Sequence, residues 1–209
     1  MKILLFKIGA LGDVLMTTPL IRQLRKNFQN SKIDYLIGKS SFMVLENNNN
    51  INNIIKFDEE IFFKKKLIFY FDLISKIRKK KYDLIFILDK HWIFNLTAKL
   101  FGIPQRIGFD RLGKEGLFLT KKVYYGPIKH EIDYYLDLAK PLDMKINYED
   151  NKIDLSIDSK SIKEINKKLK KKSIKNYCIL INSGGDNIGE SDKIRKIPNK
   201  KFREIIKRI

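Results

Sequence analysis

Behind the apolar run MKILLF comes KIGALGDVLMTTPL, Lys7 to Leu20, where Gly9 and Gly12 stand three apart and Asp13 follows at once. A glycine-bearing loop that leaves a strand and enters a helix lets a ligand come close to the backbone, and such loops often hold phosphates. Asp13 carries the wrong charge for a phosphate, so the loop points to something other than phosphate binding. The plainer role for Asp13 is a helix cap, favoured there by the macrodipole. Other chemistries find little footing. His91 and His130 are too few and too far apart in sequence to suggest a metal site, and His130 reads as a helix-start residue. No Ser-His-Asp or Cys-His grouping suggests covalent catalysis. Cys178, the single cysteine, sits in YCILIN and reads as a small buried hydrophobe.

The elements that must position this loop alternate along the chain. KILLFKI, KIDYLIG, NIIKFD and YDLIFILD read as strands. A helical spacing of Val14, Leu15, Ile21, Leu24 and Phe28 is interrupted by Pro19, which either kinks one helix or sits in the first turn of a new one capped by Thr18. LIFYFDLISKIRKK and HWIFNLTAKLFG read as helices, RIGF and KKVYYG as short strands, and HEIDYYLDLAKPL as a helix broken by Pro141. This order argues for an α/β fold with an open parallel sheet of the Rossmann type and sites at the carboxyl ends of its strands. A second cycle opens near Asn151: KIDLSI as a strand, DSKSIKEINKKLKKK as a helix, YCILIN as a buried strand, then a loop and the helix NKKFREIIKRI.

At 209 residues with 44% hydrophobic content, the chain can build one domain and a piece of a second. One cysteine suits a reducing compartment, and neither a membrane span nor a signal peptide is evident, so the expected location is cytoplasmic. The formal charge is +19, yet only eight of the 43 basic residues are arginines. Abundant lysine, isoleucine and asparagine fit the drift of an AT-rich genome, and nucleic-acid readers lean on arginine. The field nonetheless draws in anions, whether nucleotides, phosphorylated sugars or an acidic membrane face. The run IFFKKKLIFYF, Ile61 to Phe71, combines aromatics and lysines that suit a membrane surface, with core packing expected for most of its apolar residues.

With these pieces in order, the chain resembles the heptosyltransferase-like glycosyltransferases of family nine, which build lipopolysaccharide cores. The fragments that carry the resemblance are KIGALGDVLMTTPLIRQLRKNF, KIDYLIGK, KYDLIFILD, IPQRIGF, HEIDYYLDLAKPLDM, and ILINSGGD followed by RKIPNKKFREII. The resemblance implies a GT-B arrangement of two Rossmann-like domains. Residues 1–150 would form the acceptor-binding domain, and residues 151–209 the incomplete beginning of the nucleotide-sugar-binding domain. It also implies inverting transfer without a metal or other cofactor. Asp13 would be the general base that takes the acceptor hydroxyl's proton, and Gly9 and Gly12 would clear room for a sugar. Thr17 and Arg106 join these glycines as acceptor-binding candidates.

On the donor side, the resemblance assigns backbone amides at Ser183, Gly184 and Gly185 to the departing diphosphate. Arg195 falls where the family has a lysine, with Lys196 beside it and Ile197 in place of the family's tryptophan. A later glycine-rich stretch of the family is not found. Two readings follow: a glycosyltransferase, or a fragment of one, that moves a sugar such as heptose; or a non-catalytic chain that keeps only the acceptor domain. The implied partners are a nucleotide-sugar such as ADP-heptose, a lipid-linked oligosaccharide acceptor and the inner, anionic face of the membrane, with no nucleic acid.

Overall fold

Near-continuous apolar runs bounded by polar residues are what strands buried on both faces require, and the computed structural model shows them as such. It describes residues 1–64, 66–111, 113–173 and 197–208. Six strands, β1 (Lys2–Lys7), β2 (Lys32–Gly38), β3 (Asn53–Phe57), β4 (Leu84–Ile87), β5 (Gln105–Asp110) and β6 (Lys121–Tyr124), form one sheet in the order β3-β2-β1-β4-β5-β6. Every neighbouring pair is parallel. The order reverses between β1 and β4, the switch point of a Rossmann-like sheet, where ligands bind beyond the carboxyl ends of the strands.

Helices cover both faces. α1 (Leu11–Leu15), α2 (Thr18–Asn27) and α6 (Glu131–Asp137) lie on one, where Leu20, Ile21, Leu24, Ile132 and Leu136 close over Leu5, Ile33, Tyr35 and Phe86. After the short α3 (Glu60–Phe63), α4 (Leu67–Lys80) and α5 (Trp92–Leu100) cover the other. There Leu73, Ile74, Ile77 and Phe94 pack on Leu4, Phe6, Leu36 and Ile87. Pro19 does not kink a single helix: α1 stops at Leu15, and α2 starts afresh with Pro19 in its first turn. The cap falls one residue earlier than expected, at Thr17 instead of Thr18. α5 ends before Gly102, whose φ of +73° is the left-handed closure that glycine adopts freely.

Two expectations are corrected. The IFFKKKLIFYF run does not pack mostly inward: Ile61 is buried and Phe62 half-buried, but Leu67, Ile68, Phe69 and Phe71 are exposed. α4 fills its inward stripe with Leu73, Ile74 and Ile77 from its later turns, leaving the first turn outside the core. KIDLSI forms no strand; Ile153, Leu155 and Ile157 are exposed. Its backbone is held by side chains instead, because Arg22 on α2 bonds Asp150 at 2.8 Å, Asp154 at 2.5 Å and the Lys152 carbonyl at 2.9 Å. Gln23 and Asn147 exchange two hydrogen bonds with each other, and Thr18 Oγ1 accepts from the Asp154 amide.

The chain divides into Met1–Ser156, which holds the sheet, and Ile157–Ile209. The second unit contains α7 (Ser159–Lys171), capped by Asp158, whose carboxylate accepts from the Ser161 amide at 2.8 Å, and α8 (Asn199–Arg208). Among the described residues, no helix is long and apolar enough to cross a membrane.

Candidate active site

β1 ends at Lys7 and β4 at Ile87, so the loops at residues 8–10 and 88–91 leave the sheet side by side at the switch point. A buried ion pair joins them: Lys7 Nζ lies 2.6 Å from Asp89 Oδ1, and Asp89 Oδ2 accepts from the Ile8 amide at 2.5 Å. Burial pushes the Asp89 carboxyl up, against the pull of the Lys7 ammonium and the Ile8 amide, and the charge of Asp13 adds to the upward push.

The glycine loop is also tied from its other side. Ser41 Oγ donates to the Gly9 carbonyl, and the Glu59 carboxylate accepts from the Lys39 and Ser40 amides at 2.8 and 3.1 Å. The loop after β2 therefore buttresses the loop after β1. The two glycines differ. A side chain at Gly9 would meet Lys7 Cε at 3.0 Å and Nζ at 3.2 Å, so its bareness admits the lysine that runs beneath the loop. At Gly12 nothing stands within 4 Å, and the space above it is open.

Asp13 lies in the first turn of α1, whose cap position is Ala10 with no side-chain cap bond. Among the described residues, no hydrogen bond or ion pair engages its half-exposed carboxylate. Thr17 is fully buried; its Oγ1 donates to the Val14 carbonyl at 2.7 Å and meets the Tyr35 hydroxyl at 3.0 Å. It supports the turn between α1 and α2 from inside. Burial pushes the phenols of Tyr35 and Tyr135 well up, so both stay neutral beneath the loop. At the same edge, Lys90 bonds Glu131 at 2.7 Å and the Tyr125 hydroxyl at 2.8 Å. Burial alone would depress Lys90, but these two contacts outweigh it and hold its pKa up.

Arg106 is not brought to this edge. It sits near the start of β5, in register with Ile85 and Leu4, roughly 10 Å back along the strand. Its guanidinium bonds the carbonyls of Phe118 at 2.8 Å, Ile103 at 2.6 Å and Pro104 at 3.2 Å, so it tethers two connecting segments. Both histidines cap helices: His91 and His130 accept from the Ile93 and Ile132 amides, the role read for His130. Ser183, Gly184, Gly185, Arg195 and Lys196, with the strand expected at Tyr177–Asn182, lie outside the described residues. No group of three or more His, Cys, Asp or Glu side chains forms a metal cage among the described residues. Sequence reading missed Lys7, Asp89, Lys90 and Glu131. An acid directly behind the apolar run of β4 was the one available signal for Asp89.

A parallel sheet in the order 3-2-1-4-5-6, with helices on both faces, defines a Rossmann-like α/β fold. No family model matches the chain. It is 33% identical over 112 residues to a lipopolysaccharide heptosyltransferase 3 of Escherichia coli, covering 53% of this chain and 33% of that one. To the protein of that name in Escherichia coli K12 it is 25% identical over 197 residues, 89% of this chain and 56% of that one. The glycosyl transferase family 9 structure from Veillonella parvula DSM 2008 superposes with a TM-score of 0.70 at 21% identity, covering 84% of this chain and 50% of that chain. Escherichia coli heptosyltransferase WaaC, solved with ADP-2-deoxy-2-fluoro heptose, superposes with a TM-score of 0.63 at 17% identity, covering 71% and 50%. The chain is similar to lipopolysaccharide heptosyltransferases in sequence and to a family 9 glycosyl transferase in fold, and it spans between about a third and just over half the length of these relatives.

Proposed function

We propose that this chain supplies the acceptor side of a metal-independent, inverting glycosyltransferase working at the cytoplasmic face of the membrane. The reading takes a nucleotide-sugar such as ADP-heptose as donor and a lipopolysaccharide-core oligosaccharide as acceptor. Residues 1–150 hold the acceptor and residues 151–209 begin the donor domain. One observation carries it: among the described residues the Asp13 carboxylate has no partner, in the first turn of α1 just behind a loop braced from below by Lys7, Asp89 and Ser41. A general base needs a free lone pair within hydrogen-bond reach of its substrate hydroxyl. Asp13 has the free lone pair, and the open space over Gly12 gives a sugar room to approach. The proton leaves the acceptor hydroxyl for Asp13 as the oxygen attacks the anomeric carbon, and the nucleoside diphosphate departs with the bonding electron pair. Ser183, Gly184, Gly185, Arg195 and Lys196 are the proposed contacts to that leaving group; Gly9 and Thr17 shape the acceptor loop.

The test is transfer from ADP-heptose to a core-truncated lipopolysaccharide, using the protein expressed from its complete reading frame. Asp13→Asn should lower turnover by about 10²–10⁴-fold with acceptor affinity retained. Near-normal turnover in that variant would reduce Asp13 to a helix-end charge. Acceptor binding with no transfer in the unsubstituted protein would instead favour the non-catalytic reading.

A further inference from the structure

α4 carries a surface that the transfer chemistry does not use. At 100° per residue, Leu73, Ile74 and Ile77 lie on one buried face of the helix, and Ile68 points directly away from them. Ile68 is 83% exposed, Leu67 and Phe69 63%, and Phe71 60%. Four large apolar side chains bared within five consecutive positions are unusual on a surface without a partner. β3 ends at the carboxyl edge and α4 begins there, so this turn lies on the same rim as the Asp13 loop. Trp92, the chain's single tryptophan, opens α5 at that rim and is 45% exposed. α4 and α5 are joined by the 2.9 Å contact between the Tyr70 and Thr97 hydroxyls.

Charge decides what this surface fits. The acids that border it are each held by a lysine: Glu60 by Lys64 at 2.6 Å and Lys66 at 2.8 Å, Asp58 by Lys66 at 3.3 Å, and Asp72 by Lys76 at 2.6 Å. Each of these three is offset where the apolar side chains stand, and Arg78, Lys79 and Lys80 carry positive charge on to the far end of α4. Apolar and aromatic side chains among lysines, on a chain of net charge +19, match the headgroup zone of an acidic bilayer. The same charge works against a second copy of the chain as occupant.

We propose that Leu67, Ile68, Phe69 and Phe71 on α4, together with Trp92 on α5, dock the protein on an anionic phospholipid membrane. Docking there brings the rim that holds Asp13 to the bilayer surface. The inference adds a place of contact to the proposed function but stands on exposure and charge, so vesicle binding is measured without any sugar present.

The 209-residue chain is mixed with phosphatidylglycerol or phosphatidylcholine vesicles and followed by cosedimentation and by Trp92 emission. Binding to the anionic vesicles alone, weakened by salt and accompanied by a blue shift, is the expected result. The exposed triple substitution Ile68→Ser, Phe69→Ser and Phe71→Ser should cost about tenfold or more in vesicle affinity with an unchanged melting temperature. Asp13→Asn should bind like the unsubstituted chain, which separates failure of the transfer reading from failure of this one. The proposal is overturned if the unsubstituted chain ignores anionic vesicles or takes up neutral ones equally. It also falls if the triple variant binds undiminished, or if sedimentation shows a dimer that the triple substitution breaks.

Discussion

The two edges of the sheet use the same residue types differently. At the amino edge, polar side chains are consumed by the backbone. Arg25 bonds the carbonyls of Ser31 and Asn50 at 2.7 and 3.1 Å, Arg106 bonds three carbonyls, and Asp83 takes the Lys2 amide at 2.7 Å. At the carboxyl edge, Lys7, Asp89, Ser41 and Glu59 brace the loops from below, and Asp13 is left with no partner among the described residues. Charge at one edge closes the fold, while charge at the other is held ready. An arginine in a short strand motif therefore says little about ligands until its end of the strand is known.

The sharpest way to break this contrast is at its two extremes. Asp13→Asn should lower transfer by about 10²–10⁴-fold and leave thermal unfolding where it was; an equal loss of stability would move Asp13 into the scaffold. Lys7→Met comes next, because it strands a buried carboxylate. Denaturant titration should show a loss of about 3–5 kcal/mol, and an unchanged midpoint would mean that the pair does not brace the loop. Arg106→Met should cost about 1–3 kcal/mol through its orphaned carbonyls without altering acceptor affinity. Weakened acceptor binding at unchanged stability would return Arg106 to the site.

The smallest effects compare the two glycines. Gly9→Ala presses on Lys7 and should cost about 1 kcal/mol. Gly12→Ala meets nothing and should gain up to about 1 kcal/mol from helix propensity, while the KM for acceptor rises if a sugar occupies that space. Calorimetry together with acceptor kinetics distinguishes the pair; identical behaviour would erase the difference between them.

Much of the fold was legible because β1 and β4 hold unbroken apolar runs and β2 is interrupted only by Asp34, the mark of strands covered on both faces. KIDYLIG matches β2 residue for residue. KIDLSI misled because alternation shows only that a segment is able to pair; here Arg22 and Thr18 hold the backbone instead. LIFYF misled for a related reason, since apolarity shows what could be buried and not where the covering face ends. In the candidate site, the glycines drew attention to Asp13, which the structure leaves without a partner among the described residues. Lys7 and Asp89 were not, because their pairing depends on two strands 82 residues apart in sequence becoming neighbours at the centre of the sheet.

The clasp between α2 and the segment running from Asn147 to Asp154 bears on heredity. Arg22, Gln23 and Lys26 grip that segment at four of its positions, Asn147, Asp150, Lys152 and Asp154, one helix beyond the Asp13 loop. A recombination that joined this sheet to a foreign second half at Asp150 would sever Arg22 from Lys152 and Asp154. Crossovers that travel well should fall after Ser156, so that the sheet and its clasp descend together.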